Sequence, residues 1–391
     1  MKNYIDKVNQ RNTTPWVCAI LLLIISYPIW LWGLSPLVIT FASLILLFLA
    51  GDDIIKNRRN RGIGVICVIF QIIILGVTNI LPTTNLNGIL LVPVSGLGFA
   101  PLFLCSVDFW KKCVDCFIKL LAVLLVFALI EHIFVCFLDK EFVSPYITEC
   151  PTNKDRDYLV YLFNAYLQYS FQFFKRFFAF YDEPGVLGNI VMVLLYIQRF
   201  NLKKWYNVVL LVSGILSFSL TFYLAVAAYF ILFGNMKSKV VFAIVALILT
   251  YYFYNNEMVY DLVFGRLEFE DGQMAGYNRE NEDFDSWISS THWTDYFLWG
   301  YQPRYAVAYA ASWKWAFALY GIVPSIVYLF TLFYSRAKFI NSRSDLIRGL
   351  ILVVIIWIQR PFVYQYLYVF LILIPFIYNS KNTKEIGMSI T

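Results

Sequence analysis

Between residues 175 and 188 the chain reads Lys-Arg-Phe-Phe-Ala-Phe-Tyr-Asp-Glu-Pro-Gly-Val-Leu-Gly. Two adjacent cations, Lys175 and Arg176, precede the acids Asp182 and Glu183, and then comes Pro184, which suits the first position of a helix because no N–H is needed there. The apolar run from Val186 sets Glu183 at the mouth of that helix, where unpaired N–H groups and the dipole favour an anion. The plain alternative is a solvated turn with a good N-cap. In a membrane protein, however, charges at a helix mouth are candidates for function. A carboxylate there suits a general base, or a group that orients Arg176 or an acceptor hydroxyl.

A second set of candidates lies in residues 255–311, which carry ten acids against three basic residues, all of them arginine: Arg266, Arg279 and Arg304. Lysine would serve for charge balance, whereas arginine suits bidentate contact with phosphate or carboxylate. Pairing of these arginines with local acids remains the alternative. His292 lies in the same stretch and is a second candidate base, ranked after Glu183, which is fixed on a helix end. Arg304 and Arg360 rank behind Arg176, Arg266 and Arg279. Glu131-His132 falls near the end of an apolar run; there Glu131 could meet an external arginine and His132 a backbone carbonyl. Cys113 and Cys116 form a C-x-x-C without a second pair, which argues against zinc or redox use, and only Cys136 and Cys150 are placed to meet. No nucleotide-binding or metal-binding motif stands out, so no cofactor is expected.

These candidates need elements to hold them, and composition says what kind. Hydrophobic residues make up 60% and charged residues 14%, with mean hydropathy +0.66, which excludes a soluble domain and predicts a polytopic membrane protein. The apolar runs are continuous rather than alternating, so the expected fold class is all-α. About twelve spans are drawn over residues 16–31, 34–50, 62–81, 88–107, 117–138, 184–198, 206–220, 221–234, 240–254, 312–334, 346–359 and 361–378, all in one transmembrane domain covering residues 1–391. The 206–234 pair is either a re-entrant hairpin or a broken helix centred on residues 217–221.

With both termini inside, 20 of the 31 basic residues fall on inner segments, as the positive-inside rule requires. Residues 139–183 and 255–311 then form two long outer segments. In the first, Asn164, Gln168, Gln172 and Arg176 recur every four residues along an aromatic run, which predicts a helix over 158–178 lying in the membrane interface.

The block from Arg176 to Gly185 resembles the start-of-span motif of the O-antigen polymerases, polytopic enzymes related in architecture to the O-antigen ligases. Ser217-Phe-Ser219-Leu-Thr221 is similar to that family's Ser-rich hinge, though Leu220 stands where the family often has arginine. Gly265-Arg266-Leu267, Asn278-Arg279, Trp299-Gly300-Tyr301 and residues 312–321 resemble elements of its large outer loop, although Ser312 stands where the related ligases commonly have histidine. The resemblance implies a metal-independent glycosyltransferase in a Gram-negative inner membrane, joining undecaprenyl-pyrophosphate-linked repeat units at the periplasmic face. It implies Arg176, Arg266 and Arg279 as substrate-binding groups, with Arg304 a further candidate outside the matched motifs, and it places Glu183 in the matched block as a candidate catalytic base, with His292 the other candidate. Its partners would be the lipid-linked donor and acceptor, membrane lipids, and the chain-length regulator and flippase of the same pathway. Ligase and flippase or transporter activities are the alternatives; the charge-poor central spans favour an enzyme working at one face over a transport path.

Overall fold

The computed structural model describes residues 2–35, 37–57, 61–80, 86–138, 140–150, 153–168, 175–256, 313–337, 342–360 and 362–380, with isolated positions at 260, 264, 269–270, 273–274, 292, 294, 298 and 340. The fold is mostly helical. Three described helices, Leu37–Lys56, Val107–Phe137 and Met236–Tyr254, are long and apolar enough to cross a membrane. Shorter apolar helices include Thr13–Ile25, Pro184–Ile197, Trp205–Leu216, Leu220–Phe233 and Tyr366–Tyr378.

Helices form where the apolar runs lie, but several expected spans are interrupted, each at a residue that explains it. The first helix ends at Ile25, because Pro28 disfavours helix at the residue before it; Tyr27 turns with φ 53° and a short 3-10 turn follows over Ile29–Leu31. The 312–334 run is two helices, Trp313–Tyr320 and Ile322–Ala337. They meet at a bend of 109° where Gly321 adopts φ 92°, a conformation glycine enters without a Cβ penalty. The 206–234 run is also two helices, separated by Ser217–Ser219.

The chain divides into two compact units. The first comprises residues 1–26, 36–120 and 279–391. Its central helix, Tyr366–Tyr378, is buried at every position from Tyr366 to Ile377 except Leu367. Phe370 of that helix meets Trp110 and Phe117, and polar groups fasten the ends: the Asp53 carboxylate accepts from the Ser106 amide at 2.6 Å and hydroxyl at 2.8 Å, Tyr378 donates to Asp115 at 2.7 Å, and Lys111 donates to the Ser380 carbonyl at 2.9 Å. Gln71, fully buried, donates to the Val363 carbonyl at 2.8 Å and accepts from the Tyr328 hydroxyl.

The second unit comprises residues 27–35 and 121–278. Its core is the Pro184–Ile197 helix, buried at every residue but Gly185. The unit also holds a three-stranded antiparallel sheet, Tyr146–Cys150, Asn153–Val160 and Ala165–Leu167, in that order. Tyr146 pairs with Val160, and Tyr158 with both Thr148 and Leu167. The sheet corrects one expectation within a mostly helical fold: residues 158–168 are strand and turn rather than an interfacial helix. Tyr, Leu and Val favour a pleated, half-buried surface, and Tyr158 and Val160 alternate inward while Leu159 is partly exposed. Asn164 marks no helical stripe; it is a buried turn residue whose carbonyl accepts from the Tyr161 amide at 2.8 Å.

Candidate active site around Glu183

Glu183 is extended, at φ −143° and ψ 145°, and immediately precedes the Pro184–Ile197 helix as its N-cap. Its carbonyl accepts from the amides of Val186 at 3.1 Å and Leu187 at 3.4 Å, while its side chain makes no capping bond. The carboxylate is directed elsewhere: Oε1 lies 4.0 Å from Nη1 of Arg156, on the middle strand. With the side chains 44% and 23% exposed, such a pair adds little stability, and its consequence is orientation. Arg156 was not singled out by its sequence context. It sits between two acids in an Asp-Arg-Asp triplet, 27 positions before Glu183, and no local pattern links them.

Arg176 faces the other way. Its Nε donates to the Ser217 carbonyl at 3.2 Å and its Nη2 to the Phe218 carbonyl at 2.9 Å. Ser217 is the C-cap of the Trp205–Leu216 helix, where carbonyls lack intrahelical partners and the dipole favours a cation. The Phe177 amide donates to the Leu216 carbonyl at 3.0 Å, so residues 176 and 177 together close that end. Phe218 sits at φ 48°, an uncommon conformation for an aromatic residue, and Ser219 is the N-cap of the Leu220–Phe233 helix.

The two stretches singled out in the sequence meet a second time. A Cβ on Gly188 would lie 2.7 Å from Ser219 Cβ and 2.8 Å from its Oγ, so the absence of a side chain permits the approach. Ser217 Oγ donates to the Gly214 carbonyl at 2.7 Å, and the Phe222 ring covers Gly214. Asn189 and Ser219 are buried, and their side-chain polar atoms make no hydrogen bond among the described residues. Buried polar groups are costly when unmet, so these two positions, Asn189 six residues beyond Glu183 and Ser219 against Gly188, favour a water or a ligand hydroxyl.

The segment carrying Arg176 and Glu183 is held by Glu131 and His132 on the Val107–Phe137 helix. The Glu131 carboxylate, 2% exposed, meets no arginine among the described residues; it accepts from the amides of Leu162 at 3.1 Å and Phe163 at 2.8 Å, and from Asn164 Nδ2 at 2.9 Å. His132 Nδ1 lies 2.8 Å from the Tyr166 hydroxyl rather than on a backbone carbonyl. Beyond the turn, Ala165 donates to the Ala179 carbonyl at 2.9 Å and Ile29 to the Phe180 carbonyl at 2.9 Å. Trp30 stacks on Phe180, and Lys175 lies over the Tyr166 ring at 5.2 Å. Tyr161 donates to Glu141 at 3.3 Å; burial first, then the Glu141 carboxylate, pushes its phenol above the ordinary range.

Of the other sequence candidates, His292 is exposed and belongs to the other unit. Arg266, Arg279, Arg304 and Ser312 lie outside the described residues. Arg360 is the C-cap of the Arg343–Gln359 helix, with its guanidinium 5.7 Å from the Phe362 ring. Cys136 and Cys150 form no disulfide with one another, and Cys136 Sγ contacts His132 Nδ1 at 3.5 Å. Among the described residues no three His, Cys, Asp or Glu side chains converge as a metal site requires. In comparisons with known proteins the chain matches no family model, no curated protein and no solved structure.

Proposed function

We propose that this chain is a membrane glycosyltransferase that polymerises undecaprenyl-pyrophosphate-linked O-antigen repeat units at the outer face of a bacterial inner membrane. The observation that carries the reading is the junction of the Glu-Pro-Gly block with the Ser-rich hinge, made by Arg176 on the Ser217 and Phe218 carbonyls and by Gly188 against Ser219. Two stretches that resemble one family's motifs are thereby parts of one structure. The topology that goes with it has about twelve spans with both termini inside, so that residues 139–183 and 255–311 lie outside.

In this reading an acceptor sugar hydroxyl gives its proton to the Glu183 carboxylate and its oxygen attacks the anomeric carbon of the donor. The bond to undecaprenyl pyrophosphate breaks, and the pyrophosphate leaves with the electron pair. Glu183 suits the task because it is fixed at a helix N-terminus and its side chain is not consumed as a cap. Arg266, Arg279 and Arg304 are assigned to the departing charge, for which arginine offers a planar fork. Arg176 braces the hinge through Nε and Nη2.

The test is polymerisation by the purified protein in proteoliposomes supplied with synthetic lipid-linked repeat units, read as a ladder of product lengths. Glu183→Gln should abolish the ladder while His292→Ala retains it. The reverse result makes His292 the base, and an inert wild-type protein with donor and acceptor both present rejects the polymerase reading. Labelling of Ser290→Cys by an impermeant thiol reagent added outside checks the orientation; labelling only from the inner side overturns it.

A further inference from the structure

The sheet of the second unit is tied, through Glu131, to a helix long and apolar enough to cross a membrane. In the Val107–Phe137 helix the first half carries Asp108, Lys111, Lys112, Asp115 and Lys119, and the 18-residue window of highest hydropathy has a mean of 2.7. Residues 120–137 are the stretch of that length that follows the last of these charges, so the hydrocarbon-length part of the helix runs to its C-terminal end. Glu131 lies six residues before that end, roughly 9 Å along the axis at 1.5 Å per residue. Because Glu131 holds the Leu162 and Phe163 amides, the sheet's turn sits at that depth too. Unsatisfied backbone is not tolerated at membrane depth, and the buried carboxylate meets these two amides directly.

The segment after the helix is fixed at a similar level. The Lys140 amide donates to the Phe134 carbonyl at 3.1 Å, and the Phe142 ring lies 4.5 Å from that of Phe134, so the chain folds back beside the span instead of leaving it. Between the exposed charges Lys140, Glu141 and Glu149 it presents a group of large apolar side chains: Phe142, Val143, Tyr146, Ile147 and, from the sheet's turn, Leu162 are each about half exposed or more, between 48% and 57%. Tyr146 and Ile147 lie on an edge strand of the sheet. Trp30, 40% exposed, donates its indole N–H to the Leu162 carbonyl at 2.7 Å, with its apolar body outward and its polar tip satisfied, as interfacial tryptophans are.

We infer that this end of the sheet is an interaction surface for lipid, lying at the headgroup–acyl boundary of the leaflet at the C-terminal end of the Val107–Phe137 span, with the side chains of Phe142, Val143, Tyr146, Ile147 and Leu162 toward acyl chains and the open backbone groups of the edge strand at headgroup level, where water meets them. It is continuous with the lipid-facing side of the span through the Phe134–Phe142 contact. The surface replaces, with strands, the interfacial helix expected from the sequence, and it does not depend on what reaction the protein performs.

Two measurements on the protein in lipid nanodiscs test it. The first puts the photoreactive residue p-benzoyl-phenylalanine at Phe142 or Ile147, with Lys203 as the control position, and reads transfer of isotope-labelled phospholipid. The second, on the wild-type chain, reads hydroxyl-radical oxidation of Phe142 and Tyr146 by mass spectrometry. The inference expects several-fold more lipid adduct at positions 142 and 147 than at 203, together with protection of both aromatic residues. Oxidation without lipid adducts overturns it in favour of an aqueous sheet. Protection without lipid adducts also overturns it, in favour of a protein partner on this edge.

Discussion

Arg176 holds the backbone of Phe218: its Nη2 donates to the Phe218 carbonyl at 2.9 Å, and Phe218 is one of five non-glycine residues with positive φ among those described. The guanidinium thus fixes a strained link between two short helices, Trp205–Leu216 and Leu220–Phe233. Arg176→Ala should destabilise the protein by about 2–3 kcal/mol, since two charge-assisted bonds to carbonyls are lost. Arg176→Lys should lose less, because one ammonium can still reach one carbonyl. Unfolding of the detergent-solubilised variants checks this; equal stability of all three proteins would remove the brace.

Gly188→Ala should push the Pro184–Ile197 helix away from the hinge, because the added methyl meets Ser219 Cβ at 2.7 Å. Overpacking of this kind costs about 1–3 kcal/mol. Ser219→Gly removes both contacting atoms, so the double variant should regain most of the loss. A double-mutant cycle measures that coupling; additive losses would mean that the two positions do not press on one another.

Glu131→Gln keeps the shape of the side chain but places an NH2 group among three donors. With the site 2% exposed, the expected cost is about 2–4 kcal/mol, as for other buried groups left unmet. The loss should be local to the hairpin turn. Hydrogen exchange at the Leu162 and Phe163 amides should rise well before exchange in the Pro184–Ile197 helix, and a uniform rise throughout the unit would count against a local clamp.

Gly321→Ala places a Cβ at φ 92°, outside the region that L-residues ordinarily enter. Strain of about 1–3 kcal/mol is expected. The Gly321 amide donates to the Phe317 carbonyl at 2.9 Å and its own carbonyl accepts from the Ser325 amide at 3.2 Å, so both flanking helices are tied to this residue. A spin-label distance between residues 314 and 335 should broaden in the variant; an unchanged distance distribution would show that the bend does not depend on glycine.

The helical character of this fold was legible because long apolar runs leave few alternatives: each run holds a helix or a broken pair, and three of the described helices are long and apolar enough to cross a membrane. The Glu183-Pro184 start was equally legible, since Pro at the first helical position is a local signal. The sheet was not. Along 158–178 a spacing of four among Asn164, Gln168, Gln172 and Arg176 imitates a helical stripe, while the deciding interaction comes from Glu131, more than thirty residues upstream. Nor did sequence pair Arg156 with Glu183, because tertiary folding, not local spacing, brings residues 27 positions apart near one another.

Two helices of the second unit stand at opposite limits of packing. Pro184–Ile197 is buried at all but one residue, whereas Met236–Tyr254 has none buried and touches its neighbours through rings such as Phe242 on Phe230 and Phe253 on Phe218. Selection therefore acts on different properties of the two. In the first, the volume and shape of nearly every side chain are constrained, and even a methylene is felt. In the second, away from those ring contacts, a lipid-facing position asks only for hydropathy, so one apolar residue replaces another at little cost. Over evolutionary time the second helix should drift freely in sequence while keeping its composition, and the first should stay nearly still.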